Sequence, residues 1–546
     1  MKIPYSKTII CAGSLIIILS YTLLLTPTYD DGNYGMGVIN TIKYHNPYYN
    51  NYYNQILPIQ KLSILIYSIV FTQILSFSFH LLGFVQGLFI VLSGLLVNKI
   101  SKHYFMNKTS LAASLIYVYL MIGHEWLSPM RPELWLSIIG LLVFYLLELF
   151  IRKEKMKFIF IACFLTGAIA ITFHSNASIL YIYLILYLIT YRKIISKKRI
   201  IISLIFLFLS TAVGLLIIFL PDITVSLKYF LSVAGADDNR FGFYEFHRFL
   251  IFYVNEFYRY VGFYLFLLFI AWFIYNRSDI SKVIISIKNK YKNILLYFIS
   301  IFIGLGILPS ASWAIYILPY FFPLSLLFAY LLSDFHTNQT TKLMINICIF
   351  ILGLEFIGAV IINGDLLASS QLSINMPNFI REIIPDIVYK HPFIIFIFFY
   401  LPVLIRSIIW PRYRFYLLYL ILTLGLSYKT FLLYNQHSVF SEVQQLCKKY
   451  KVLNLVGPAE FIWMDIDGKP LFISVPNDSS FKWSGHALLS EKVQNAYPVK
   501  DLISNCPSCK FKKLEPVQNS FKRSSFISDE FNYRYLSLYS FSKNEN

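Results

Sequence analysis

The chain has 546 residues, of which 57% are hydrophobic and 14% charged, with a mean hydropathy of +0.62. A soluble domain carries about 25% charged residues, so the composition excludes an ordinary soluble protein. The formal net charge of +19 does not point to nucleic acid, because the basic residues sit in short clusters between long apolar runs, which is the signature of cytoplasmic loops.

The first apolar run, 8–26, follows Lys2 and Lys7. It resembles a signal peptide, but no Ala-x-Ala site follows, so it reads as a retained helix with its N-terminus inside. Directly after it comes Thr26–Gly37, which places Asp30 and Asp31 side by side at the edge of the hydrocarbon slab. Acids kept there are costly and are functional candidates. Further spans are expected at 82–97, 109–127, 133–150, 158–173, 178–190, 201–220, 249–275, 294–308, 315–333, 343–362, 393–405 and 415–434. Short alternating segments of a β-barrel are absent from the sequence.

The connectors separate by charge. Asn98–Lys108, Arg152–Lys157, Arg192–Arg199, Arg277–Lys292 and Arg406–Arg414 are basic and are expected inside. The loops at Asp30, Arg131, His174, Pro221–Arg248, Pro309 and Asn363–His391 are then expected outside. Lys61–Phe79 is apolar enough to span, but a crossing there would put the later basic clusters outside. It therefore reads as a juxtamembrane or re-entrant helix in a long first external loop, 27–81, with a true span as the alternative. The fold class expected is a polytopic α-helical membrane protein of about thirteen transmembrane helices. Residues 1–434 form the membrane domain.

Beyond Tyr434 the composition turns soluble. His437–Tyr450 has helical periodicity, and Val452–Val456 and Pro470–Val475 are short β-like runs. Gly457-Pro458, Asp467-Gly468 and Pro476-Asn477-Asp478 punctuate them as turns. Residues 435–546 are expected to form a small extracytoplasmic α/β domain. Cys506-Pro-Ser-Cys509 reads as a local disulfide, since no thioredoxin-like pattern precedes it; Cys11, Cys163 and Cys348 read as small buried hydrophobes within apolar helices.

Four stretches carry candidate chemistry: Tyr29-Asp30-Asp31-Gly32-Asn33-Tyr34-Gly35; Arg131-Pro132-Glu133; Phe243-Tyr244-Glu245-Phe246-His247-Arg248-Phe249, followed by the aromatic-rich Tyr260–Tyr264; and Trp313–Pro323. In this order they resemble the type C membrane glycosyltransferases, the group that holds the protein O-mannosyltransferases and the aminoarabinose transferases of lipid A. The resemblance covers residues 26–333. It implies a polyprenyl-phosphate-linked sugar donor, with Asp30 at the position of the family's catalytic aspartate and Asp31 replacing a neighbouring glutamate. The chain departs from the family at Gln55-Ile56-Leu57-Pro58, where an acid and a lysine often precede the proline; Lys61 is the substitute.

The residues suit such chemistry. An inverting transfer needs a base for the acceptor hydroxyl, and an external carboxylate supplies it. The leaving lipid phosphate gains charge, which fixed cations stabilise. Asp30, Asp31 and Glu133 are the catalytic candidates, and Arg248, His247, Arg131 and Arg259 the phosphate-binding ones, with Arg240 as a further external cation. No cofactor is demanded by the spacing; a divalent metal ion would find its oxygens in Asp30 and Asp31. Structural readings stand beside these. The two aspartates also suit a solvated loop or a helix cap, Arg131-Pro132-Glu133 is a common helix entry, and Arg240 and Arg259 suit interfacial anchoring.

The expected function is transfer of a sugar to a lipid, glycan or protein hydroxyl on the external face of a bacterial plasma membrane. The expected partners are the lipid-linked donor, that acceptor and membrane lipids, with no nucleic acid. Two rivals are a polysaccharide polymerase of the O-antigen type and a non-enzymatic flippase of lipid-linked sugars. The flippase expects ionisable residues at mid-membrane depth, for which Glu148 and Glu355 are the candidates.

Overall fold

The structure is a computed structural model that describes residues 6–24, 35, 38, 49–50, 55–56, 79–123, 131–173, 175–219, 290–307, 318–334, 440–457, 464–467, 469–473, 482–489, 499–517 and 536–543. Its helices are α1 (Ser6–Leu24), α2 (Phe79–Ser101), α3 (Asn107–Gly123), α4 (Pro132–Lys153), α5 (Lys157–Phe173), α6 (Ser178–Thr190), α7 (Lys197–Phe219), α8 (Lys292–Ile301) and α9 (Leu318–Asp334). Among the described residues, the helical stretches His80–Ser101, Glu133–Lys153 and Lys197–Ile218 are long and apolar enough to cross a membrane. The others agree with the expected spans to within a few residues at either end. The segment 61–78, the spans expected from 249 to 275 and from 343 to 434, and Glu355 lie outside the described residues.

In lipid, helices gain little from apolar burial against one another, so close backbone approach and interhelical hydrogen bonds carry the association. Gly83 and Gly87 lie one turn apart on α2, against α1. A Cβ at Gly83 would stand 2.0 Å from the carbonyl oxygen of Tyr21, and one at Gly87 2.9 Å from the Cα of Ile18. The second glycine-based contact joins α5 to α7, where a Cβ at Gly214 would stand 2.5 Å from the carbonyl oxygen of Gly167. Between α3 and α2, the Ser114 hydroxyl donates to the carbonyl of Gly94 at 2.6 Å.

α5 is not α-helical throughout: Leu165–Ala170 is a π-helical stretch, and a second one, Phe302–Ile307, continues α8. The wider turn carries one more residue than an α-helix would, a feature that concentrates at functional sites. Both stretches stand at the ends of their helices opposite the basic loops.

The middle of the bundle is aromatic. Phe144 of α4 meets Tyr183 of α6 (centroids 6.0 Å apart), Tyr297 of α8 (5.7 Å) and Phe322 of α9 (4.8 Å), so four helices converge on one ring. On the side of the basic loops a polar network lies beneath it. Glu148 is buried, and its Oε1 accepts hydrogen bonds from the Tyr104 hydroxyl and from Asn293 Nδ2, the latter at 2.7 Å. Tyr183 in turn donates to Asn293 Oδ1 at 2.7 Å. The network ties α4, α6, α8 and the α2–α3 turn together.

The C-terminal elements form a separate sheet. A helix, α10, over 440–449 ends at Lys451, which takes a left-handed conformation (φ 52°) while the Val452 N–H reaches back to the carbonyl of Cys447 at 2.8 Å. The strands are β3 (Asn454–Val456), β6 (Phe472–Ile473), β7 (Ser484–Leu489), β8 (Cys509–Pro516) and β9 (Ser537–Lys543), in the order β6-β3-β7-β9-β8. β3 is parallel to both neighbours, and the β7-β9-β8 half is antiparallel. Two short hairpins stand apart, β1 (Tyr49–Asn50) with β2 (Gln55–Ile56) and β4 (Asp465–Ile466) with β5 (Lys469–Pro470). In the second, Asp467 turns the chain at φ 54°, where the sequence expects a turn. Helix α11 (Val499–Asn505) leads into the disulfide Cys506–Cys509, as the spacing predicts, and then into β8. Lys510, Lys512 and Lys513 are exposed on that edge strand, where charge discourages pairing with another chain.

Candidate active site

Of the residues expected to carry chemistry, the structure brings Arg131 and Glu133 together. Asp30, Asp31, His247, Arg248, Arg259, and likewise Arg240 and Lys61, lie outside the described residues.

The local geometry follows from the tripeptide. Arg131 is extended (φ −72°, ψ 132°), as the residue before a proline prefers, and Pro132 opens α4 in its first turn without wasting an N–H. Glu133 sits in that first turn, where the helix dipole favours a carboxylate, and Arg152 and Lys153 close the other end of α4. The consequence is a folded-back pair, in which an Arg131 guanidinium N–H donates to Glu133 Oε1 at 3.2 Å.

Both side chains are buried, with 5% and 7% of their surface exposed. Such a pair survives burial only when its remaining donors and acceptors are satisfied, and one is not. Glu133 Oε2 is buried and has no hydrogen-bond partner. An unsatisfied buried acceptor costs about 1–3 kcal/mol, more when charged. The free lone pairs of Oε2 are where a hydroxyl or ammonium of a ligand would donate. The backbone of the same residue is held, since the Ser137 hydroxyl donates to the Glu133 carbonyl at 2.9 Å.

Two residues further along α4 an aromatic contact joins it to its neighbours. Trp135 stacks on Phe173, at the end of α5, with centroids 5.1 Å apart and planes 16° from parallel. Phe89 of α2 meets it edge-on at 4.6 Å. The short 3-10 turn Ser175–Ala177, which carries buried Asn176, packs beside α4. The helix entry was legible in the sequence; the Trp135–Phe173 pair was not, because 38 positions separate the two rings and only the packing of α5 on α4 joins them.

Glu148 was noted in the sequence as an intramembrane acid. The structure gives it a tyrosine and an asparagine as donors, so it is a hydrogen-bonded tie between helices. No cluster of three or more histidine, cysteine, aspartate or glutamate side chains occurs among the described residues, and Arg131–Glu133 presents a single carboxylate, too few oxygens for a hard divalent ion.

Residues 66–223 match the family described as Dolichyl-phosphate-mannose-protein mannosyltransferase. The chain is similar in fold to a solved structure, that of ArnT from Cupriavidus metallidurans bound to undecaprenyl phosphate. The TM-score is 0.62 at 11% identity, over 98% of this chain and 97% of that one. No curated protein matches. The resemblance read from the motifs therefore extends to the fold: the chain is a polytopic helical membrane protein similar in architecture to ArnT, with a stretch that matches the mannosyltransferase model.

Proposed function

We propose that the protein is an inverting glycosyltransferase that moves a sugar from a polyprenyl-phosphate donor to an acceptor hydroxyl at the extracytoplasmic face of a bacterial plasma membrane. The observation that carries this reading is the buried Arg131–Glu133 pair with its open oxygen, at a helix entry within the stretch matched by the mannosyltransferase family. The undecaprenyl phosphate bound to the structural neighbour supports a donor of that class.

In this reading Asp30 takes the proton of the acceptor hydroxyl as its oxygen attacks the anomeric carbon from the face opposite the phosphate. The bond from sugar to phosphate oxygen breaks, and the electron pair leaves on the polyprenyl phosphate. Arg248, with His247 and Arg259, stabilises that charge. Glu133 accepts a hydrogen bond from a hydroxyl of the sugar or acceptor, and Asp31 orients the same group. Arg131 pairs with Glu133 and aims it, so its own charge is already shared before a phosphate arrives. Thirteen spans, a domain boundary near 434 and an extracytoplasmic C-terminal domain complete the proposal.

The flippase reading needs mid-membrane acids facing a pathway. Glu148, the one within the described residues, is tied up by Tyr104 and Asn293, which favours the enzyme. The test is release of sugar from a panel of radiolabelled polyprenyl-phosphate sugars by purified protein, comparing wild type with Asp30→Asn. Turnover in the wild type that falls by three or more orders of magnitude in the variant is the expected result; equal turnover retires Asp30 as the base.

A further inference from the structure

We infer that the crevice between α8 and α9 is a binding site for an anionic glycerophospholipid, one acyl chain lying along the helices and the phosphate resting on Lys290 and Lys292. The cavity, of about 210 Å³, is lined by Phe105, Tyr291, Leu295, Phe298, Pro323 and Tyr330 among others, and none of its lining surface is polar.

Its origin lies in the sequence. α8 and α9 run antiparallel, since Tyr291 meets Tyr330 with centroids 5.3 Å apart and Phe298 meets Tyr320 at 5.6 Å. Pro323 inside α9 removes a backbone hydrogen bond and lines the crevice. Tyr291 to Phe298 along α8 and its cap, and Pro323 to Tyr330 on α9, are seven residue steps each, so the crevice is about 10 Å long at the rise of an α-helix. A hydrocarbon core is about 30 Å thick, so the crevice occupies part of one leaflet. It opens to the lipid side, where Leu295 is 39% exposed.

The mouth has the chemistry of a headgroup zone. Phe105, Tyr291 and Tyr330 form an aromatic collar, with Phe105 stacked on Tyr291 at 5.8 Å, and the neighbouring Met106 is 85% exposed. Lys290 Nζ stands 5.3 Å from the centre of the Tyr291 ring, and Lys292 Nζ 5.1 Å from that of Tyr191. Neither ammonium faces a carboxylate among the described residues. Lys290 rests on a ring that lines the slot, and Lys292 follows Tyr291 directly in the chain, so two cations flank the mouth end of a wholly apolar slot and fit a lipid phosphate above an acyl chain. The mouth lies at the start of α8, where Asn293 meets Glu148 near the far end of α4 from Arg131 and Glu133, which sets this site apart from the donor's.

The experiment is native mass spectrometry of the purified full-length protein titrated with phosphatidylglycerol or phosphatidylcholine. Wild type is expected to bind at least one phosphatidylglycerol about ten-fold more tightly than phosphatidylcholine. Lys290→Gln/Lys292→Gln is expected to erase that preference, and Leu327→Trp, which fills the slot, to weaken both lipids. Leu295→Trp enters from the exposed side and replaces Leu327→Trp if that variant misfolds. Equal affinity for the two lipids in wild type, or unchanged phosphatidylglycerol binding in the filled-slot variant, overturns the proposal, as does displacement of phosphatidylglycerol by equimolar undecaprenyl phosphate. Donor turnover by the wild type is read separately, so a failure here leaves the glycosyltransferase reading to its own test.

Discussion

Arg131 and Glu133 hold each other in place inside the protein, so removing Arg131 strands the Glu133 carboxylate. Arg131→Ala should destabilise the fold by about 3–5 kcal/mol, the usual cost of orphaning a buried charge. Adding Glu133→Ala should restore much of the loss. Thermal unfolding of the two variants in one detergent checks this: a double variant no more stable than Arg131→Ala would show that the pair is not coupled. Glu133→Gln separates stability from function. It keeps the shape and an acceptor oxygen but loses the charge, so turnover should fall by about ten- to a hundred-fold, against about 1 kcal/mol in stability. His486 on β7 offers a pH handle. Burial holds its imidazole below the ordinary value of 6.5, so below that value the unfolded chain takes up a proton that the folded one refuses. Stability is therefore unaffected above pH 6.5 and declines as the pH falls beneath it. His103 adds to the decline, held down by its own burial and then by Arg152 and Lys99. Unfolding midpoints at about pH 7.5 and 5.5 should differ less in His486→Gln than in wild type.

Among the elements, the α1–α2 seam is the most sensitive to added volume. Gly83→Leu would drive a side chain into the carbonyl of Tyr21, and a loss of about 1–3 kcal/mol is expected from such overpacking. Gly13→Ala is the control, because nothing stands within 4 Å of its added Cβ; its midpoint should hold or rise. Both are read as unfolding midpoints of the purified protein, and equal behaviour would mean that α1 does not dock through these glycines. The spacing of Gly83 and Gly87 stands openly in the sequence, while the helix that receives them does not. The same divide runs through the whole chain. The spans that fall within the described residues were legible because hydrocarbon demands unbroken apolar runs, so their length and charged borders survive without tertiary context. The β7-β9-β8 sheet was not legible. Ser484–Leu489 does not alternate cleanly, and Cys509–Pro516 carries three lysines that read as a solvated loop until β9 pairs with it. In the candidate site the arginine-proline-glutamate entry announces itself through helix-start rules. The orphaned Oε2 is a fact about surroundings that no local rule contains.

On the scale of the molecule, the disulfide between Cys506 and Cys509 bears on orientation. Disulfides persist where the compartment is oxidising, so a thiol reagent added to intact cells should label these two cysteines after reduction by an impermeant phosphine and not before. Labelling that needs permeabilised cells would place the C-terminal domain inside and change the parity of the spans. The bridge closes a four-residue loop, and its loss should cost about 2 kcal/mol in the chain-entropy view. Cys163 and Cys447 are buried and free; they should stay silent in the same assay until the protein unfolds.

The π-helical turn Leu165–Ala170 gives the molecule an unusual sensitivity to chain length. Deleting one residue there would not leave a gap: the stretch would close into an ordinary α-helix, comfortable in itself. Everything beyond it on α5 would, however, swing by about 100° around the helix axis and slide by about 1.5 Å. Phe173 would leave the face of Trp135, and the turn bearing Asn176 would leave the side of α4, with no side chain near Glu133 altered. The site can thus absorb many exchanges of one side chain for another along this helix, yet a single missing codon would dismantle it from a distance.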